Sequence, residues 1–192
     1  MPLVAIHPVH RSILAFDIEN STGGTNADRA QMRENVYAIR DNAMSAAGIS
    51  ASCLDQSLDR GDGFLALFHP WDEVPITTIL GSLVPEMATR IAGLPPESAF
   101  RARVAVHEGG VLYDRQGCFG EEVDIACRLL NSSAVKLRLA RTSSSLVLVI
   151  TDSVYNSVVR QDYQGIDAST FEPTRPIRVG NRTVPAWIQV LS

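Results

Sequence analysis

Three cysteines among 192 residues, Cys53, Cys118 and Cys127, are too few and too scattered for a framework, and no Cys-x-x-Cys spacing occurs. That argues against both disulfide scaffolding and a zinc site, so a reducing, cytoplasmic setting is expected. Long apolar runs are missing too: none approaches the roughly 18 residues of a membrane span. The segment MPLVAIHPVHRS is broken by prolines and histidines before the apolar stretch of a secretory leader could form. No membrane association is expected. Nor is there an excess of positive charge, since 17 basic residues face 21 acidic ones for a formal net charge of −4. A nucleic-acid partner, which needs a basic footprint, is therefore not expected. Internal repeats, low-complexity tracts and linkers are absent. Residues 10–192 are expected to form a single domain able to bury its own core, with 1–9 as an N-terminal extension.

What is present is a succession of short apolar runs and amphipathic stretches. SILAFDI (12–18) reads as a buried strand ending at Asp17, and the turn-forming ENSTGGTNA follows. The spacing of Met32, Val36, Ile39, Ala43 and Ala47 predicts a helix over 28–47, closed by Gly48. SCLDQSL and GFLALFH flank DRGD as the arms of a hairpin. Residues 76–92 predict a second helix, kinked or split at Pro85. FRARVAVHEG alternates as a strand, and VLYDR, after Gly109 and Gly110, reads as its hairpin partner. FGEEVDIACRLLNSS predicts a helix with Asp124 and Arg128 four apart on one face. A helix over 133–141, the strand SLVLVI, the helix DSVYNSVVR and a terminal hairpin from about Ile177 to Val190 complete the order. This is an α+β arrangement: an antiparallel, ferredoxin-like or palm (split βαβ) sheet, with helices expected on one face.

Asp17 and Asp62 both stand where an apolar strand meets a turn. Adjacent strands would bring them together, and a carboxylate pair without histidine or cysteine selects hard cations such as Mg²⁺ or Mn²⁺. The turn after Asp17 runs into the first helix, whose N-terminal N–H groups favour phosphates. Taken singly, each feature has an ordinary structural reading: turn chemistry for Asp62 and the STGG loop, a surface ion pair for Asp124 and Arg128. His107 reads as a structural histidine on a strand, His7, His10 and His69 lack metal spacing, and Arg60-Gly61-Asp62 matches an adhesion tripeptide by coincidence.

In combination the motifs carry more. FDIENST followed by a helix, RGDGFLALF, RVAVHEGGVLYD and FGEEVDIACRLLN resemble, in order and spacing, those of the class III nucleotidyl cyclase catalytic domain. The likeness runs from about Arg11 to the terminal hairpin and is only an outline after residue 140. It implies that Asp17, Asp62 and the carbonyl of Ile18 hold two Mg²⁺ or Mn²⁺ ions. Asn20, Ser21 and Thr22 occupy the phosphate-lining Gly-aromatic-Thr, and only Thr22 agrees with it. Arg128 matches the arginine that stabilises charge on the α-phosphate, and Asp124 stands where an asparagine orients the ribose. The purine-selecting positions are Leu58 and Gly117, neither with a hydrogen-bonding side chain. The phosphate lysine is missing; Arg182 is its expected replacement, with Arg178 the less favoured choice.

The resemblance further implies a head-to-tail homodimer that converts a nucleoside triphosphate to a 3′,5′-cyclic nucleotide and pyrophosphate. The absent purine selectors point to a pyrimidine, as in the pyrimidine cyclases of bacterial antiphage signalling. The competing reading is a degenerate cyclase fold that binds a nucleotide or a partner without turnover. A palm polymerase or diguanylate enzyme fits less well, because its second acid lies in a paired acidic turn and RGDG has one acid there.

Overall fold

The computed structural model describes residues 7–21, 23–55, 57–70, 73–163 and 165–192. Its first strand explains the architecture. In β1 (Val9–Ile18) Ile13, Leu14, Ala15 and Phe16 are all buried in succession. Neighbouring residues of a strand point to opposite faces, so both faces must be covered. Leu14, Phe16 and Ile18 join a core with Val36 and Ile39 of α1 (Asn26–Ala46). Ile13 and Ala15 join a second core with Ile125 and Leu129 of α4 (Glu121–Leu130) and Val135 of α5 (Ser133–Ala140). Helices on one face only, as expected from the sequence, is therefore corrected to helices on both.

The chain continues through β2 (Leu58–Asp59), β3 (Gly63–Phe68), α2 (Ile76–Thr78), α3 (Val84–Ala92), β4 (Ala102–Asp114) and β5 (Gly117–Phe119). After α4 and α5 come β6 (Leu146–Thr151), α6 (Asp152–Ser157), β7 (Phe171–Pro173), β8 (Ile177–Val179), β9 (Arg182–Val184) and β10 (Ala186–Leu191). The main sheet runs β2-β3-β1-β4-β6-β10-β7, with β5 paired to β4. Every pairing in it is antiparallel except β4 with β6. The α+β class read from the sequence holds.

Four local expectations change. Gly109 and Gly110 are not a turn: β4 passes straight through them. A β-carbon on Gly109 would stand 2.4 Å from the Glu122 side chain, and one on Gly110 2.9 Å from Pro8, so these glycines admit close neighbours. The turn comes at 114–117, where the Asp114 carboxylate accepts the amides of Gln116 and Gly117. The SCLDQSL arm shrinks to β2 and a bridge between Leu54 and Phe68, with a 3₁₀ turn at Ala51–Cys53. The helix runs unbroken from Ile76 to Ala92 through a π turn at Ile79–Leu83, and Pro85 follows that turn directly, where the widened backbone admits a residue without an N–H. The terminal hairpin is two objects: β8 and β9 form a separate ribbon, and after Pro185 β10 returns to the main sheet beside β6.

Candidate active site

Asp17 lies one residue from the end of β1, opposite Gly63 of β3. Asp62 therefore precedes its cross-strand neighbour by one position, and the Ile18 amide donates to the Asp62 carbonyl at 3.3 Å. Gly63 permits this approach, because a β-carbon there would stand 2.0 Å from the Phe16 carbonyl oxygen. One step on, Phe16 and Phe64 stack at 5.1 Å and fix the register. From outside, Arg33 of α1 donates to the Asp59 carboxylate and to the Gly61 carbonyl, holding the hairpin tip against the helix.

The two carboxyl groups face one cleft of about 440 Å³, shared with Ile18, Asn20, Ser21, Arg60 and Arg103. Arg103, opposite Asp17 on β4, is buried and ion-paired to it, and the Ser21 hydroxyl donates to Asp62. Burial pushes the Asp17 pKa up; Arg103 opposes this, while the nearby charge of Asp62, within hydrogen-bonding reach, adds to it. Burial and the second acid thus disfavour the ionised form of Asp17, which a bound cation would favour. Among the described residues no group of three or more His, Cys, Asp or Glu side chains forms a cage. The donors on offer are two carboxylates and the Ile18 carbonyl, all hard oxygens. That set fits Mg²⁺ or Mn²⁺, which take few protein ligands and complete their shell with water and phosphate.

Thr22 lies outside the described residues. Asn20, in the left-handed region at φ 56°, and Ser21 turn the chain at the cleft mouth. The start of α1 differs from expectation: Thr25 and Asp28 cap it reciprocally, with Thr25 N–H and hydroxyl both donating to Asp28. The helix end thus already holds a carboxylate where a phosphate was expected.

The remaining predicted residues lie elsewhere. Arg128 on α4 lines a separate groove of about 810 Å³ together with Arg138, Arg141, Arg175 and Arg178; Asn131 borders both hollows. Asp124 shares the α4 face of Glu121 and Arg128. Arg182, on β9, pairs with Glu121 at 2.6 Å, which brings it to that face but engages its charge. Arg178 lines the Arg128 groove, and Arg182 is not among its lining residues. Leu58 packs on the second core, as do Tyr113, Cys118 and Cys127, and Gly117 opens β5 at φ 136°. Arg103 escaped the sequence reading, and Arg60 entered it only within a coincidental tripeptide. Their only signals are an arginine on an apolar strand and one set beside Gly61-Asp62.

No protein-family model matches the chain, and no curated protein does. Solved structures match it along nearly the whole length. One is the catalytic core of a rhodopsin-guanylyl cyclase with converted specificity in complex with ATPalphaS, with TM-score 0.69 and 14% identity over 96% of this chain and 97% of that one. Another is an adenylate/guanylate cyclase/hydrolase from Silicibacter pomeroyi, TM-score 0.64, 20% identical, over 97% and 99%. A third is the adenylyl cyclase CyaB from P. aeruginosa, TM-score 0.60, 15% identical, over 96% of each. At these identities the likeness is one of fold, and the fold is that of the class III cyclase catalytic core.

Proposed function

We propose that the chain is a metal-dependent nucleotidyl cyclase. The observation that carries this is the convergence of Asp17 and Asp62 on one cleft. Together with the Ile18 carbonyl they would hold two Mg²⁺ or Mn²⁺ ions. Such ions, when bound, ease ionisation of the ribose 3′ hydroxyl and neutralise the phosphates. Arg103 favours the ionised form of Asp17, and the Ser21 hydroxyl donates to Asp62. The Asn20–Ser21 turn lies at the cleft mouth, where phosphates would approach. The 3′ oxygen forms a bond to the α-phosphorus, the bond to pyrophosphate breaks, and the hydroxyl proton passes to solvent. Arg128 answers the charge growing on the α-phosphate, and Asp124 stands by the ribose hydroxyls.

Arg128 and the two acids open into different hollows of one chain, which favours a head-to-tail homodimer in which each copy completes the other's site. The base is a pyrimidine, since neither Leu58 nor Gly117 offers a purine a hydrogen bond. Its cyclic product would be a second messenger of the antiphage kind. The pairing of Arg182 with Glu121 favours the alternative, nucleotide binding without turnover, because it engages one expected phosphate contact. Incubation with each of the four nucleoside triphosphates and Mn²⁺ separates the two. Cyclic product is expected from a pyrimidine nucleotide, lost by several orders of magnitude in Asp62→Ala, while Arg128→Ala loses about 3 kcal/mol of transition-state stabilisation. Undiminished turnover in Asp62→Ala would refute the metal assignment, and binding without pyrophosphate release would establish the alternative.

A further inference from the structure

Arg60 is the arginine of the acid cleft that no ion pair to a described acid accounts for. Arg103 is held by Asp17 and Arg33 by Asp59, whereas Arg60 is exposed and lines the hollows on both sides of Asp62. It follows Leu58 by two positions, just beyond the end of β2, where its N–H donates to the Gly63 carbonyl at 3.0 Å. Leu58 packs on the core that Tyr113, Cys118 and Cys127 also border. Cys127 lines the acid cleft together with Arg60, and burial pushes the thiols of Cys118 and Cys127 up while the Arg60 charge opposes it. Cys118 adjoins Gly117, and Cys127 adjoins Arg128. Arg60 thus brings hydrogen-bond donors to the region where Leu58 and Gly117 have none.

We propose that Arg60 reads the nucleobase and selects an edge with two neighbouring acceptors, which among pyrimidines is the O2 and N3 edge of cytosine. This rests on the cyclase reading above and names its substrate. A guanidinium has only donors, set in a planar fork that meets two adjacent acceptors at once. Uracil places an N–H between its two carbonyls, and adenine sets its amino donor beside N1 on one edge and beside N7 on another, so each would turn a donor toward the fork. Guanine also has an adjacent acceptor pair, O6 and N7, so GTP is the competitor that the test must set against CTP.

The test compares CTP, UTP, ATP and GTP with wild type, Arg60→Ala and Arg60→Lys, by steady-state kinetics in Mn²⁺ and by calorimetric binding in Ca²⁺. Thermal melting checks that the exposed substitution leaves the fold intact. Wild type is expected to favour CTP by about tenfold or more, the contribution of one bidentate base contact. Arg60→Ala should lose that preference through KM rather than kcat, and Arg60→Lys, which lacks the fork, should not restore it. A preference for another base, a preference that survives Arg60→Ala, or an equal loss for all four nucleotides would overturn the assignment. Selective, Arg60-dependent binding of CTP without pyrophosphate release would instead refute the cyclase reading and leave this one standing.

Discussion

A β-carbon on residue 63 would have to displace the backbone of β1 beside Asp17, because the atom it meets is the Phe16 carbonyl oxygen and no side chain can yield. Gly63→Ala should therefore cost about 1–3 kcal/mol, the usual penalty for overpacking, and move Asp62 away from Asp17. Urea denaturation checks the first effect and Mn²⁺-dependent turnover the second; a variant as stable and active as the parent would contradict the close approach. Asp17 itself is held at some expense. Its pKa is raised above the ordinary 3.8, so the stability it contributes is present below that value and lost as pH rises through the raised one. Both acids were legible in the sequence because each ends or opens an apolar run at a turn. Arg103 was not, since its meaning depends on a partner 86 positions away across two strands. Thr25 and Asp28 show the reverse case: a readable capping pair that the phosphate expectation passed over.

Among the elements, the arm before β2 is held to β3 by the Leu54–Phe68 bridge and its backbone bonds, and one carboxylate adds side-chain anchors to it. Asp55 accepts from Arg11 of β1 at 2.9 Å, from His69 at 3.1 Å and from the Tyr113 hydroxyl of β4. Burial alone would raise its pKa, yet the hydrogen bonds from Arg11, Tyr113 and His69 bring it below the ordinary 3.8. The stability it supplies is thus present above pH 3.8 and lost as pH falls through the depressed value. Asp55→Asn should cost about 1–2 kcal/mol at pH 7, the scale of a lost charged hydrogen bond. The gap from wild type should narrow in urea titrations below pH 3.8; a gap constant with pH would contradict the network. Nothing in the sequence marks Asp55. At this scale periodicity located the long helices and the central strands, but it misread β4, because a glycine pair looks the same whether it turns the chain or admits Glu122 and Pro8. It also missed that an unbroken apolar run such as ILAF demands cover on both faces.

Across the whole molecule the decisive feature is the separation of Asp17 and Asp62, in one hollow, from Arg128, in another. On the cyclase reading proposed above, a single copy would hold two halves of different sites, and a head-to-tail pair would join them. Motif order named the residues proposed for each half, but not their separation, which depends on where α4 crosses the sheet relative to the ends of β1 and β3. Mixing two inactive variants tests this most directly. Asp62→Ala spoils the acid half and Arg128→Ala the other, so a mixed dimer regains one intact site of its two. After subunits are exchanged by mild denaturation and refolding, an equimolar mixture should show about a quarter of wild-type cyclase activity, because half of the dimers are mixed and each has one working site. A mixture no more active than its two components, with mixed dimers demonstrably formed, would contradict the shared site.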